Sequence, residues 1–495
     1  MRKESKRGSG VLMPISALPA RYGIGTFGEE AYKFADMLEI GGFRYWQVLP
    51  LGPTSFGDSP YQSPSAFAGN PYFIDLDILC EKGYLKKDDL TSVSRTKDCE
   101  NIDYAWLYNT RYKVLYKAYE GFKKSTEYNK LGDFPECEPW VRDYAIFMTL
   151  KNIYKGKVWC EWDDEYKFRD TDALDKFEKK HKDDIEFYIF IQYEFYLQWN
   201  KLKAYINQKG ISVIGDMPIY VSYDSADVWV NPELFRLDEK LNQTEVAGCP
   251  PDAFAKEGQK WGNPLYNWAN HEVDNFSWFK ERMKALHKLY DKIRIDHFIG
   301  IVRYYCIPYD KSAVYGWYEK GPARKLTDAI IDAVGANAII AEDLGVLTKS
   351  VVNLLKKTGF PGMKVLEFAF DGNPSNDHLP HNLKNNCVAY IGTHDNEPLR
   401  GYLDTRNKKE LAYIMEYLDV THEDEIMDRM INMLFSSVAD TVILQMQDIL
   451  KLPMYARTNL PSTLGINWKW RMKKGAFKIS QAKKLNRLNK IYGRL

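Results

Sequence analysis

The sequence predicts an α/β fold: a closed (β/α)8 TIM barrel with large helical and loop insertions after its strands. Three observations predict it. Eight short apolar, β-branched runs alternate with stretches of helical pattern, as repeated β-α units require. Four acidic residues stand where such a run gives way to turn residues: Asp216 in ISVIGDMPIYV, Asp296 in KIRIDHFIG, Glu342 in AIIAEDLGV and Asp395 in AYIGTHDNEP. The C-terminal tips of parallel strands are where such a barrel places its chemistry. Finally, a chain of 495 residues has room for a full barrel and its insertions.

In chain order, strands are expected at 10–15 (GVLMPI), 45–51 (YWQVLPL), 211–219 (ISVIGDMPI) and 292–297 (KIRIDH). The remaining four are at 338–342 (AIIAE), 363–370 (MKVLEFAF), 388–393 (VAYIGT) and 442–448 (VILQMQD). Helices are expected at 29–40, 278–290, 325–334, 349–358, 408–418 and 423–436. No short internal period appears, which argues against a solenoid. The whole chain, 1–495, reads as one catalytic barrel. Roughly 160 residues separate the second and third strands, far beyond an ordinary crossover. That stretch, 55–205, is rich in aromatic and charged residues (YAWLYNTRYKVLYKAYEGFKK, EFYIFIQYEFYLQWNKLKAYI) and reads as an inserted helical subdomain. A second insertion, 221–275, centres on turn-rich GCPPDAFAKEGQKWGNPLYNW. Insertions after barrel strands emerge on the active-site face, so both are expected to shape the cleft.

Composition narrows the partners. A formal net charge of +1 supplies no long-range field for nucleic acid or an anionic membrane, and a neutral partner such as a sugar is compatible with it. Aromatic residues reach 14%, which suits either sugar stacking or a well-filled core. Seven scattered cysteines without a CxxC pair argue for a reducing compartment. The basic then briefly apolar N-terminus superficially resembles a signal peptide, but Pro14 and Pro19 interrupt it and VLMPISAL reads better as a first strand. No run approaches the roughly 18 apolar residues of a membrane span. The expectation is a cytoplasmic monomer or homodimer with no membrane or nucleic-acid partner.

Several carboxylates around one polar pocket, with Arg294 and His394 among them, point to glycosidic-bond chemistry. Cleavage with retention needs a carboxylate nucleophile and a carboxylic acid that keeps its proton near neutral pH. Arg294 and Asp296 are two apart, so on a strand both face inward, and the guanidinium favours an ionised Asp296. The bland alternative is a buried Arg–Asp pair of the barrel interior. Glu342 and Asp343 point opposite ways, so one of them is expected to be catalytic; Glu342 has the longer reach, and the alternative is a helix N-cap. Asp395 could serve as an Asx turn and Asp216 as an ordinary turn residue. Asp216, Asp296, His297, Glu342, His394 and Asp395 could in principle bind a divalent ion, but metal-ligand spacings are absent and Arg294 would repel a cation. No metal and no cofactor are expected, and no nucleotide-binding glycine loop is found.

The four segments resemble those of the α-amylase superfamily. PLGPTSFGDSPYQSPSAFAGNPYFIDL, SADVWVNPELF, GCPPDAFAKEGQKWGNPLYNW, VLEFAFDGNPSNDHLPHN and RTNLPSTLGINWKW resemble its amylomaltase branch, the 4-α-glucanotransferases, and run in order from residue 11 to residue 472. The resemblance implies a barrel without the C-terminal β-domain usual in α-amylases. It implies Asp296 as nucleophile, Glu342 as general acid/base, and Asp395 as the carboxylate that holds and distorts the sugar at the cleavage point. It assigns Asp216, Arg294 and His394 to the same sugar, and Tyr61, Asp252 and Trp261 to donor and acceptor subsites. Asn467 and Trp468 match the closing segment, with Ile466 where glycine is usual. Ile299 and Pro398 also depart from the pattern, which bears on subsites and not on the reaction. The implied activity is transfer between α-1,4-glucan chains such as maltooligosaccharides, starch or glycogen. The alternatives are an α-glucan hydrolase and a non-catalytic glucan-binding protein; a barrel aldolase or isomerase would want a Schiff-base lysine or phosphate site, which is not apparent.

Overall fold

The computed structural model describes residues 7–55, 57–94, 100–251 and 256–495. Eight parallel strands form its centre: Gly8–Leu12, Tyr45–Gln47, Ser212–Met217, Lys292–Ile295, Ile339–Ala341, Gly362–Val365, Cys387–Tyr390 and Thr441–Gln445. They are called here the first to eighth barrel strands. In space they run sixth, seventh, eighth, first, second, third, fourth, fifth. The sequence order is thus kept round the ring, and the only neighbours not paired as a ladder are the fifth and sixth. Ala341 N–H crosses that seam to Pro361 O at 2.9 Å, and Met363 N–H donates to the Asp343 carboxylate at 2.7 Å. Asp343 is therefore part of barrel closure. Gly362 makes this possible, because a Cβ there would come within 2.5 Å of the Asp343 carboxylate.

The ring is filled rather than hollow. Leu12, Ile214, Ile340, Met363, Val365, Val388, Tyr390 and Ile443 form one inner cluster, each buried, as stacked inward side chains of a barrel do. Each such aliphatic contributes about 1.5–3 kcal/mol by leaving water. The helices stand outside and bury the outer faces of the strands. All six expected helices form: Glu29–Gly41, Ser277–Leu289, Arg324–Val334, Lys349–Thr358, Lys408–Leu418 and Ile426–Ser436, the last preceded by a 3-10 turn at Glu423–Glu425. Local chemistry fixes several ends. Thr348 caps Val351 N–H, Asn407 and Glu410 form a capping box, and Gly42 and Gly359 end their helices at φ 67° and 72°.

The barrel strands end earlier than expected. Residues 366–368 form a 3-10 turn where strand 363–370 was expected, and Met446–Ile449 is a helical turn within 442–448. Asp296 and Glu342 likewise stand just beyond the fourth and fifth strands. Apolar runs continue past the ladder because these tips are themselves largely buried, so hydrophobicity alone overstates strand length.

Between the second and third strands the chain forms a set of helices, the longest being Lys182–Gln208, which crosses residue 205 and docks on the barrel through Trp199 Nε1 to Leu289 O at 3.0 Å. A four-stranded antiparallel sheet stands at the C-terminal face, in the order Gln259–Pro264, Glu245–Cys249, Arg303–Pro308, Trp317–Lys320. Two of its strands come from the segment after the third barrel strand and two from the segment after the fourth. Neither pair was foreseen: 221–275 was expected to be a loop insertion, and no strand was expected between the fourth and fifth barrel strands. No helix among the described residues is long and apolar enough to cross a membrane.

Candidate active site

The site forms where the third, fourth, fifth and seventh strands end. Asp216 faces inward near the end of the third strand, 1% exposed. Arg294, one place before the end of the fourth, sends Nη1 to both oxygens of Asp216 at 2.8 and 2.7 Å and to Asp296 Oδ1 at 2.9 Å. The guanidinium is 3% exposed, so these contacts act in a low-dielectric surround. Burial opposes its charge, but Asp216, Asp296 and Glu342 together hold it firmly protonated. Asp296 leaves the ladder with its N–H on Met217 O at 3.0 Å and its carboxylate partly open to the cleft.

Glu342 sits at the tip of the fifth strand. Its Oε2 accepts His297 N–H at 2.7 Å and its Oε1 accepts Leu344 N–H at 2.8 Å, which fixes the carboxyl plane. His297 can offer that N–H because its backbone turns into the left-handed region, at φ 51°. Asp343, adjacent in sequence, is turned away into the barrel seam, so the two carboxylates have different surroundings.

Asp296 and Glu342 titrate as a pair. Burial raises both above the ordinary carboxylate range and Arg294 pulls both down; Glu342 adds to the rise of Asp296, while the two backbone donors of Glu342 oppose its own. Arg294 touches Asp296 directly and favours its ionised form, whereas Glu342 has two backbone N–H donors and, among the described residues, no cation in contact.

The seventh strand leads into His394 and Asp395. Burial lowers the proton affinity of His394 despite Asp395 beside it, so the ring is neutral. Tyr61 OH donates to Asp216 Oδ2 at 2.7 Å and stands 2.9 Å from His394 Nε2, which assigns the ring proton to Nε2. The same Nε2 lies 3.3 Å from Asp395 Oδ2. Tyr61 also stacks on His394, with ring centres 5.4 Å apart, and Trp468 closes the group from the other side. Tyr61, Asp216, Arg294, Asp296 and the His394–Asp395 pair thus form one connected network.

Trp261 lies edge-on to His297 at 5.0 Å and stays partly exposed. Asn467 spends its amide within its own loop, on Leu460 N–H, Leu460 O and Thr463 O, so its visible work is to shape that loop. Asp252 lies outside the described residues. Two residues at the site were not singled out from sequence. Asn459 Nδ2 donates to Asp395 Oδ1 at 2.6 Å, and Arg457 Nη2 donates to Asp395 O at 2.6 Å while Nη1 holds Glu397. Both lie in RTNLP, a segment noted for its resemblance alone. Among the described residues there is no group of three or more metal-ligating side chains placed to hold an ion.

The chain is similar to known proteins along nearly its whole length. A family model described as 4-alpha-glucanotransferase matches residues 13–477. A 4-alpha-glucanotransferase of Clostridium butyricum is 48% identical, with 97% of this chain and all of that one covered. One from Streptococcus pneumoniae serotype 4 is 44% identical over 99% of this chain and 98% of its own. The solved structure of an amylomaltase from Streptococcus agalactiae in complex with acarbose superposes with a TM-score of 0.96 at 43% identity, covering 99% of both chains.

Proposed function

The chain belongs to the 4-alpha-glucanotransferase family and acts on α-glucans as a transferase, and we propose how its residues carry the reaction. Asp296 attacks the anomeric carbon of an α-1,4-linked glucose and forms a covalent glucosyl–enzyme ester, while Glu342 gives its proton to the departing 4-oxygen. Glu342, now ionised, then takes the proton from the 4-hydroxyl of an incoming glucan, whose oxygen displaces Asp296. Two displacements restore the α-configuration. Asp395, aimed by His394, Asn459 and Arg457, holds the ring hydroxyls of the reacting sugar, and Asp216, Arg294 and Tyr61 hold the same sugar from the opposite side. The observation that carries this reading is the contact of Arg294 with Asp216 and Asp296 while Glu342 is held by backbone N–H groups alone. One carboxylate is thereby kept charged and the other available for proton transfer.

The insertions 55–205 and 221–275 wall the cleft in this reading. Gln62, from the first, donates to Asn263 Oδ1 at 3.0 Å in the second, which supports a single enclosure that admits a sugar acceptor and restricts water. Substrates are maltooligosaccharides and longer α-1,4-glucans. Six free cysteines among the described residues support a reducing compartment, the cytoplasm. The test is incubation with maltotriose alone. Transfer yields glucose with a ladder of longer oligosaccharides and a constant number of reducing ends; a steady rise in reducing ends without longer products would establish hydrolysis instead.

A further inference from the structure

Beneath the turn that carries His394 and Asp395 lies a group of buried acceptors that the mechanism does not use. Glu367, in the 3-10 turn Leu366–Phe368 after the sixth strand, is 7% exposed, and neither carboxyl oxygen has a hydrogen-bond partner. Asp448 is fully buried after the eighth strand; its Oδ1 accepts Leu399 N–H at 2.7 Å, and its Oδ2 has no partner. Gln447 donates through Nε2 to Ala456 O and Thr458 Oγ1, but its Oε1 is likewise unpartnered.

Glu367 bears directly on the catalytic turn. Its N–H donates to Ile391 O at 3.0 Å. A Cβ on Gly392 would come within 2.8 Å of Glu367 Oε1 and 3.0 Å of Gln445 Nε2, so the carboxyl fills the space that glycine leaves. His394 and Asp395 follow immediately. A buried carboxylate with no donor is costly, whereas a carboxylic acid has an O–H to offer where its neighbours are acceptors. We propose that Glu367 is a positioning residue for the transfer reaction, its carboxyl O–H shared with Asp448 across this polar pocket and fixing the turn that aims Asp395. The charged groups facing it agree: burial acts first, Asp448 and Glu397 add to it, Arg457 and Arg406 oppose it, and the balance holds Glu367 protonated well above the ordinary carboxylate range. Burial also pushes Asp448 up to about 7. The inference rests on the role given to Asp395.

The experiment compares the wild-type chain with Glu367→Gln, Glu367→Leu and Asp395→Asn. It measures kcat and KM on maltotriose from pH 5 to 9.5, together with thermal melting. Glu367→Gln keeps a donor that cannot ionise, so its kcat should stay within about threefold of wild type at the optimum. Its alkaline limb should lie higher, with at least about threefold more of its own optimum rate left at pH 9. Glu367→Leu leaves the buried Asp448 Oδ2 without its donor, so it should melt lower than wild type while remaining folded. It should also lose about tenfold or more in kcat. An alkaline limb in Glu367→Gln that overlays wild type, or a folded Glu367→Leu with wild-type kcat, would overturn the inference. An active Asp395→Asn would instead overturn the role of Asp395, so the two failures are separable.

Discussion

Glu342 and Asp343 are adjacent carboxylates that the structure puts to different uses, and exchanging each for its amide tests that division. Glu342→Gln removes the proton donor and keeps an acceptor for only one of the two N–H groups, of His297 and Leu344, that the carboxylate holds. General acid catalysis contributes typically 10²–10⁴-fold, or about 3–5 kcal/mol at about 1.4 kcal/mol per tenfold, so kcat/KM on maltotriose should fall by about that factor. The loss should be much smaller on α-glucosyl fluoride, whose leaving group needs little proton assistance. The glucosyl–enzyme on Asp296 should then accumulate and add one glucosyl mass to the intact protein. Asp343→Asn should act on the fold instead. Its carboxylate accepts Met363 N–H across the only unladdered seam of the barrel, a charge-assisted bond of about 1.5–3 kcal/mol. The asparagine oxygen can still accept, so only part of that is lost, and the visible result is a lower Tm with nearly unchanged selectivity between the two donors. The assay is parallel kinetics on maltotriose and glucosyl fluoride, with melting curves for both variants. Equal damage to both donors by Glu342→Gln, or a leaving-group-selective loss from Asp343→Asn, refutes the assignment.

Asp296→Asn, close to isosteric, should leave the melting temperature near wild type and reduce transfer by several orders of magnitude, as loss of other covalent nucleophiles does; a rate above about a tenth of wild type would move the nucleophile elsewhere. Tyr61→Phe deletes the hydroxyl joining Asp216 to His394, so KM should rise by about 5–30-fold, corresponding to about 1–2 kcal/mol. Trp261→Ala should lower the ratio of transfer to hydrolysis, read as reducing ends per longer product; if neither variant changes anything but Tm, these aromatics serve packing alone. Burial depresses His271, His297 and His378 to about 4 each. The unfolded chain then binds more protons than the native one between the ordinary histidine range and pH 4, so stability present above about 6.5 is lost as pH falls through that window. His271 is fully buried, and His271→Phe should flatten the slope of Tm against pH between 6.5 and 4; an unchanged slope would assign the acid sensitivity to the carboxylates.

The barrel was legible because its signal is repeated: eight apolar runs, each closed by turn residues, admit few other closures. The ends were less legible. Asp296 and Glu342 still donate their N–H groups to Met217 O and Ile295 O of the neighbouring strands, and after Asp296 the chain turns away at His297 with φ 51°, an end with no local apolar signature. The Arg294–Asp296 spacing carried real information, since alternation on a strand fixes both on one side. Arg457 and Asn459 had no such signal. They reach Asp395 from a loop that follows the eighth strand, more than sixty residues later in the chain, and no period or spacing marks them. The strands Arg303–Pro308 and Trp317–Lys320 were overlooked for a related reason. RYYCIP and WYEK show no clean alternation, and a segment after a barrel strand is read first as the way to the next helix.

The chemistry at the strand tips does not by itself choose between water and a sugar as the second nucleophile, because Asp296 and Glu342 would serve both alike. The choice must lie in what stands over the cleft, and there the connectivity is informative. Tyr61 belongs to one insertion and Trp261 to the other, and Gln62 joins them through Asn263. Trp261 in turn packs edge-on against His297, whose N–H holds the Glu342 carboxyl. Under the proposed roles of Trp261 and Glu342, acceptor binding by this wall would reach the general acid/base through these two contacts. An acceptor sugar that orders Trp261 would then also steady the carboxylate that deprotonates it. Such coupling would favour transfer without any change in the catalytic carboxylates themselves.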